Sequence, residues 1–305
     1  MLRKIMVPLD GSMLAERALP AAFGLAQAVQ GEVTLLRAPM LHPVSADEYS
    51  GGYKWLYPDQ AEARTSDDAA TYLKDMAQQW TREGVTVRTT VVAGDPAAVI
   101  IDFSTMFEQD LICMTTHGYS GLTRWMLGSV TEKVLRAAPC PVMVVRESQP
   151  IRHILIPLDG SALAERAIEP GMEIARRLGA RVTLLQVATV VPTPHDVVYQ
   201  MEALEQDIGD YLATRTIEHA ELYLDSVAER LAHWDVQLSA EVVDGFAAQQ
   251  IVDYSASHEV DLIAMATHGR TGLRRWAYGS VTEKVLRSGK CSLLVVRPNA
   301  EELKG

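Results

Sequence analysis

Short apolar runs and longer amphipathic segments alternate along the chain. Runs such as Lys4–Leu9 and Leu111–Thr115 predict buried strands, and the segments between them place apolar residues three and four positions apart, as helices do. Because the apolar runs are nearly continuous and alternate with helices, they predict parallel sheets that are covered on both faces. Right-handed crossover connections then give a doubly wound α/β fold.

The pattern predicts nine elements in each half of the chain. In the first half the expected strands are 4–9, 32–38, 85–93, 111–115 and 141–145, and the expected helices are 13–30, 60–84, 96–107 and 128–137. In the second half the strands are 153–158, 181–187, 236–243, 262–266 and 293–296, and the helices are 162–178, 201–232, 247–257 and 279–288.

Two sequence blocks occur twice, about 150 residues apart. Residues 7–18 recur as 156–167 with 10 of 12 positions identical, and residues 117–136 recur as 268–287 with 15 of 20 identical. A period of this length equals one domain and is too long for a solenoid repeat. We therefore expect a tandem duplication, with one domain over 1–147 and a second over 152–298.

The composition excludes several classes of protein. The chain has 305 residues and a formal net charge of −11, which disfavours nucleic-acid binding because phosphate neutralisation requires clustered Lys and Arg. No stretch reaches 18 apolar residues, so no transmembrane helix and no membrane partner are expected. An odd count of 3 cysteines without a CxxC pair suits reduced thiols. The sequence is typical of a cytoplasmic protein.

A Gly-Ser pair stands at the predicted start of one helix in each half. Gly128-Ser129 and Gly279-Ser280 would present free backbone N–H groups and the positive end of the helix dipole to an anion. The same residues also fit the S-x-x-E capping box, which needs no ligand. Both interpretations, a phosphate site and a capped helix, are open at this point.

Acidic residues follow the first predicted strand of each half. Asp10 and Asp159 begin Asp-Gly-Ser turns, which are common helix entries. A carboxylate there can also accept hydrogen bonds from a base or a ribose, but it would repel phosphate unless a cation intervened. We therefore expect the base of a nucleotide near the Asp residues and its phosphates near the Gly-Ser pairs.

Other candidate residues favour structural roles. His117 and His268 have no partner His, Cys or carboxylate at a metal-ligand spacing, so no protein-held metal site is expected. Trp125 and Trp276 are expected to be packing anchors, with base stacking as the alternative. The sequence lacks GxxxxGK[ST], GxGxxG after the first strand and GxSxG, and it offers no catalytic base. Turnover is expected to be slow or absent.

Taken together, these residues resemble the universal stress protein family, and specifically its tandem-domain members. The nucleotide-binding members carry G-x2-G-x9-G-[S/T]. Here nine residues separate Gly118 from Gly128-Ser129, and nine separate Gly269 from Gly279-Ser280. The first glycine of the motif is replaced by Thr115 and Ala266. Ala266 adds only one methyl group, so the second half is expected to be the better binding site.

The resemblance implies the fold, the ligand and the residues that contact it. It implies two flavodoxin-like domains of the adenine-nucleotide alpha-hydrolase type, with strand order 3-2-1-4-5, and ATP with Mg²⁺ or Mn²⁺. The residues that it assigns to nucleotide binding are Asp10, Ala38, Gly118, Gly128, Ser129, Val130, Asp159, Val187, Gly269, Gly279, Ser280 and Val281.

Three functions remain open from the sequence. The first is a stress-response protein that binds ATP and acts by regulation or signalling. The second is an interaction scaffold without nucleotide, and the third is a slow ATP hydrolase or phosphotransferase. The implied strand order also leaves the apolar fifth strands, Val142–Val145 and Leu293–Val296, at sheet edges, so we expect them to pair in a homodimer or within the chain.

Overall fold

The computed structural model describes residues 2–39, 58–116, 127–188, 207–267 and 279–297. The chain divides into two compact units, residues 1–150 and residues 151–305. Each unit is built around its own parallel sheet, as the internal repeat predicts.

The first unit is a five-stranded parallel sheet with helices between the strands. Its strands lie in the order β3-β2-β1-β4-β5. The strands are β1 (Lys4–Pro8), β2 (Glu32–Arg37), β3 (Thr86–Val91), β4 (Leu111–Thr115) and β5 (Val142–Val145). The helices are α1 (Met13–Glu16), α2 (Leu19–Val29), α3 (Pro58–Trp80), α4 (Pro96–Met106) and α5 (Ser129–Ala137).

The second unit repeats this arrangement. Its strands lie in the order β8-β7-β6-β9-β10 and are also parallel. They are β6 (His153–Leu158), β7 (Arg181–Ala188), β8 (Leu238–Asp244), β9 (Leu262–Ala266) and β10 (Ser292–Val296). A 3-10 turn (Ala164–Ala167) precedes α6 (Ile168–Leu178), and α7 (Asp207–Leu231), the 3-10 turn Ala232–Trp234, α8 (Ala247–Ser257) and α9 (Ser280–Ser288) follow. The expected doubly wound fold and strand order are confirmed in both units.

The strand order fixes where a ligand would bind. In each unit the chain leaves the first strand toward one side of the sheet and later returns on the other side, so the order reverses between the first and fourth strands. Open α/β sheets bind ligands in the crevice at the carboxyl ends of the strands flanking that reversal. These are β1 and β4 in the first unit, and β6 and β9 in the second.

The helix predicted over residues 13–30 is interrupted. It is divided into α1 and α2, and the break precedes Pro20, whose missing N–H and bulky ring disfavour a continuous helix there. The second unit has Pro170 three residues into α6, and there the preceding segment is a 3-10 turn. The prediction of one uninterrupted helix was wrong in both halves because it gave too little weight to these prolines.

Strands β3 and β8 are less buried than the apolar pattern predicted. Most of their residues are exposed or half-buried, whereas β4 and β10 are buried throughout. Each lies at the outer end of its own sheet, where one neighbour is missing. The expectation of five strands covered on both faces therefore fails for β3 and β8, whereas the other strands of each sheet are mostly buried.

The cysteines are buried and carry no disulfide. Cys113, Cys140 and Cys291 are all free thiols, and burial raises the pKa of Cys140 to about 12. These are the small buried thiols that the sequence predicts.

None of the helices in the described ranges is both long enough and apolar enough to cross a membrane. Pairing of the fifth strands stays a prediction.

Candidate functional site

The Asp-Gly-Ser turn at the carboxyl end of β1 is held by its own side chains. The Asp10 Oδ1 accepts hydrogen bonds from the Ser12 N–H at 2.9 Å and from the Ser12 hydroxyl at 2.6 Å. The Ser12 Oγ in turn accepts from the Ala15 N–H at 3.2 Å, so Ser12 is the N-cap of α1. Gly11 has a φ of +87°, a backbone conformation that glycine adopts without strain.

The second unit forms the same turn after β6. The Asp159 Oδ1 accepts from the Ser161 N–H at 2.9 Å, and the Ser161 Oγ accepts from the Ala164 N–H at 3.1 Å. Gly160 has a φ of +81°. Asp159 is exposed, as is Asp10. Each carboxylate therefore stands at the rim of its sheet, where a ligand can reach it.

Helices α5 and α9 each follow an N-cap glycine, and their first amides lack intrahelical partners. The first hydrogen bonds within these helices run from the Glu132 N–H to the Gly128 carbonyl and from the Glu283 N–H to the Gly279 carbonyl, both at 2.9 Å. The three N–H groups before each of these bonds have no acceptor within the helix. In α5 they belong to Ser129, Val130 and Thr131. In α9 they belong to Ser280, Val281 and Thr282.

Threonine side chains anchor these helix starts to the sheet. The Thr131 hydroxyl donates to the Thr115 carbonyl at the end of β4 at 2.9 Å, and the Thr282 hydroxyl donates to the Ala266 carbonyl at the end of β9 at 3.2 Å. Both threonines are buried, whereas Ser129 and Ser280 are exposed. The anchors hold the open amides at the carboxyl edge of each sheet.

The capping-box alternative is wrong in the form that the sequence suggested. A capping box requires the serine at the N-cap, but the N-caps are Gly128 (φ −63°, ψ 146°) and Gly279 (φ −60°, ψ 147°), which have no side chain. Ser129 and Ser280 are instead the first residues of the helices. Each hydroxyl therefore stands beside the open amides and does not serve as an N-cap.

The remaining predicted contacts fall into two groups. Ala38 directly follows β2 and is half-buried, and Val187 lies in β7, paired with Val243 and also half-buried. Both stand at the carboxyl end of the strand beside β1 or β6. Other candidates lie outside the residues that the structure describes, namely Gly118, Gly269, His117, His268, Trp125 and Trp276.

Comparison with known proteins identifies the family. The model of the universal stress protein family matches the chain twice, over residues 1–146 and 150–297. The chain belongs to the universal stress protein family. The two matches agree with the tandem arrangement of the two units.

Members of this family align with the whole chain or with one half of it. The Mycobacterium tuberculosis universal stress protein Rv2005c is 28% identical over 313 residues, which cover 96% of this chain and 96% of that protein. The Methanocaldococcus jannaschii universal stress protein MJ0531 is 33% identical over 145 residues, 48% of this chain and 82% of its own length. The crystal structure of a universal stress protein from Archaeoglobus fulgidus has a TM-score of 0.69 at 20% identity, covering 96% of this chain and 97% of that one. This last likeness bears on the fold alone.

Sequence reasoning missed a tyrosine–glutamate pair beside each Asp-Gly-Ser turn. The Tyr72 hydroxyl donates to the Glu16 Oε1 at 2.8 Å, and the Tyr223 hydroxyl donates to the Glu165 Oε1 at 3.0 Å. Burial and the bond to glutamate raise the pKa of both tyrosines, so both stay protonated at neutral pH. Both glutamates lie in the repeated block, residues 7–18 and 156–167, and this repetition was the sequence signal that could have singled them out. Their partners lie 56 and 58 residues away, in helices that the repeat did not single out.

Metal-ligating side chains do not gather in the described parts of either unit. No group of three or more His, Cys, Asp or Glu residues that could hold a metal ion occurs there. The chemistry of the described site is therefore that of open amides, serine hydroxyls and one exposed carboxylate per crevice.

Proposed function

We propose that this universal stress protein binds an adenine nucleotide, ATP with Mg²⁺ or Mn²⁺, at the carboxyl ends of its strands. The proposal rests chiefly on the open amides at the starts of α5 and α9. Three N–H groups that converge at a helix N-terminus, together with the helix dipole, favour a negatively charged group such as phosphate. The family membership of the chain adds support.

The residues of each crevice take complementary roles in this proposal. Phosphate oxygens accept from the amides and hydroxyls of Ser129 and Val130, or of Ser280 and Val281. The carboxylate of Asp10 or Asp159 accepts from the ribose or base, and Ala38 or Val187 contacts the base. Gly118 and Gly269 would let the chain approach the phosphates. A divalent cation would arrive with the phosphates and neutralise their charge.

The proposed role is regulatory. The exposed carboxylate of each crevice is assigned to the ribose or base, and no other described side chain is placed as a general base. The tyrosines beside the turns are held protonated by burial and by glutamate. Nucleotide binding would then change the stability or partner contacts of the protein, in the cytoplasm, where buried free thiols are stable.

Variants that introduce a negative charge at the helix starts test the proposal. Glu in place of Ser129 or Ser280 stands at the first helical position, where an acidic side chain stabilises the helix by about 0.3–1 kcal/mol. The same charge repels phosphate, so Mg-ATP affinity at that crevice should fall at least about tenfold. Isothermal titration calorimetry of S129E, S280E and the double variant measures this loss at whichever crevice the nucleotide occupies.

The matched control is Ser226→Glu, which adds the same charge on the exposed surface of α7. It should leave binding unchanged. Saturating nucleotide should also stabilise the unmodified protein, by about 2.7 kcal/mol at 100 times Kd. Absence of both heat and a shift in Tm at millimolar Mg-ATP would refute the proposal. Mass spectrometry of the protein as purified provides an independent search for retained nucleotide.

One observation favours the scaffold alternative for the first unit alone. Thr115 replaces the first glycine of the motif, and the side chain of Arg37 lies against Gly11 in the turn beside the proposed base site. A crevice narrowed in this way suits a structural unit better than a binding unit. Crystals grown with Mg-ATP that show no nucleotide in the first unit would support that alternative.

A further inference from the structure

Arg37 covers the Asp-Gly-Ser turn of the first unit. It is the last residue of β2 and follows Leu36, whose carbonyl accepts from the Leu9 N–H at 2.8 Å. Its guanidinium extends over Gly11, where an added Cβ would lie 3.1 Å from the Arg37 Nη2 and 3.4 Å from its Cζ. The guanidinium carbon is also 4.9 Å from the centre of the Tyr72 ring. The cation is therefore held between the turn and α3.

In the second unit no described residue covers the corresponding turn. Gln186 occupies the position of Arg37, because it pairs with Leu158, the counterpart of Leu9. A Cβ added at Gly160 would meet no described atom within 4 Å. Neither the Gln186 side chain nor any other described group thus lies against this glycine.

The arginine of the second unit comes from a different element. The Arg230 Nη2 donates to the Glu165 Oε2 at 2.8 Å, and Arg230 lies on α7 seven residues after Tyr223, on the same face of the helix. The equivalent position in α3 is Gln79, seven residues after Tyr72. Arginine and glutamine have therefore exchanged places between the units, and each cluster keeps one cation near its Tyr–Glu pair.

We propose that Arg37 is a specificity-determining residue that closes the base end of the first crevice, so that the chain binds one nucleotide, in the second unit. This inference rests on the proposed function. A base lying over the turn in the first unit must displace a guanidinium that the Tyr72 ring holds by a cation–π contact. The positive charge over Gly11, the residue after Asp10, also attracts the carboxylate that the ligand would use. Among the residues that the structure describes, the second crevice carries no guanidinium over its turn.

The test exchanges the two residue pairs within the full chain. R37Q/Q79R gives the first unit the arrangement of the second without changing the net charge. Native mass spectrometry and calorimetry with Mg-ATP should find one equivalent bound by the unmodified protein and two by R37Q/Q79R. Q186R should weaken binding to the second unit about tenfold or more, which equals about 1.4 kcal/mol.

Controls separate the closing of the crevice from unrelated effects. R88Q removes a strand arginine that pairs with Glu32 at 2.6 Å, remote from the turn, and should leave the count at one. S280E in the unmodified chain should abolish the single site, whereas S280E combined with R37Q/Q79R should retain one. Circular dichroism and Tm of each variant verify that it is folded.

The outcomes distinguish this inference from the proposed function. If the unmodified protein and R37Q/Q79R bind no nucleotide, the proposed function fails. If the unmodified protein binds nucleotide in the first unit, so that S129E removes a site, the function stands and the role of Arg37 is refuted. That role is also refuted if R37Q/Q79R remains at one equivalent while folded, or if it binds more weakly than the unmodified protein.

Discussion

The amino ends of the two sheets begin with the same backbone contacts and then differ in chemistry. In the first unit the Asp110 Oδ2 accepts from the N–H of Lys4 at 2.9 Å, and in the second the Asp261 Oδ2 accepts from the N–H of His153 at 2.9 Å. The side chains then make matching contacts with a helix C-terminus. The Lys4 Nζ donates to the carbonyl of residue 107 at 3.2 Å, and the His153 Nδ1 lies 2.9 Å from the carbonyl of residue 258.

The surroundings of these side chains differ in burial. Lys4 is exposed, whereas His153 is only 4% exposed. The His153 Nε2 lies 2.9 Å from the Thr183 hydroxyl, which in turn lies 2.9 Å from the Ser239 hydroxyl. With the ring proton on Nδ1, the imidazole donates to the carbonyl and accepts from Thr183. The second unit thus contains a polar chain that runs from the buried His153 and Thr183 to the exposed Ser239, where the first has a solvated amine.

This contrast shows which parts of the duplicated fold are free to diverge. The carboxyl ends keep the turn, the open amides and the tyrosine–glutamate pair in both units. The amino ends keep only the backbone anchor and one side-chain contact. At this position the second unit has a buried titratable side chain, His153, where the first has the exposed Lys4. Burial is the main influence on the pKa of His153 and lowers it. The arginine–glutamine exchange beside the turns is the exception at the carboxyl ends.

Truncating the two side chains should have the largest and most unequal effect. His153→Ala removes a buried ring and its polar contacts with Thr183, Arg181 and the carbonyl of residue 258, so the second unit should lose about 3 kcal/mol of stability. Lys4→Ala removes one exposed contact and should cost the first unit at most about 0.5 kcal/mol. Hydrogen exchange followed by mass spectrometry measures the opening free energy of each unit. Similar losses in both units would show that the buried His153 side chain contributes no more stability than the exposed Lys4 side chain.

Removing the shared anchor should instead affect the units alike. Asp110→Ala and Asp261→Ala each leave two backbone N–H groups without their acceptor, at a cost of about 1–2 kcal/mol in the unit that carries the change. The effect should be somewhat larger for Asp261, because the His153 amide is less exposed than that of Lys4. The same hydrogen-exchange measurement applies. A loss of stability from only one of the two substitutions would contradict the equivalence of the two sheets.

Acid should destabilise the second unit more than the first. His153 has a folded-state pKa below its ordinary value of 6.5, with burial as the main cause, Arg181 and His258 acting in the same direction, and the hydrogen bond to His258 and the charge of Asp261 opposing. The unfolded chain therefore binds the proton first, and stability falls as pH drops below 6.5 toward the folded pKa. The slope cannot exceed about 1.4 kcal/mol per pH unit for one proton.

His153→Gln should remove this component of the pH dependence. His233→Gln, at an exposed histidine, is the control and should leave it in place. Hydrogen exchange between about pH 7 and pH 5, corrected for the intrinsic exchange rate, reports each unit separately. A second unit whose pH dependence survives His153→Gln would assign it to other groups.

The sequence predicted the fold well because its signals are local. Alternating apolar runs and amphipathic segments predicted every strand, and the repeat predicted two units. Pro20 was visible in the sequence, but the apolar spacing around it also fits a single helix. The N-cap of α5 was misassigned to Ser129 because the S-x-x-E pattern does not reveal the extended backbone of Gly128.

The candidate site was predicted in part for the same reason. The Asp-Gly-Ser turns and Gly-Ser helix starts are short motifs whose geometry follows from a few neighbouring residues. Tyr72 and Arg37 were missed because each acts on residues far away in the chain. Comparing the halves would have flagged Arg37 opposite Gln186, yet only the packing of α3 and the turn gives that difference a meaning.

By itself the sequence determined the doubled architecture, the order of its elements and the motifs that stand at the carboxyl ends of the strands. These depend on hydrophobic periodicity and on backbone preferences, which a few consecutive residues carry. The tertiary structure alone decided that a guanidinium lies over the Gly11 turn, whereas no described group lies against Gly160. It also decided that His153 is buried while its counterpart Lys4 is solvated. Such differences depend on which side chains from distant segments fill a common space, and spacing along the chain does not encode that.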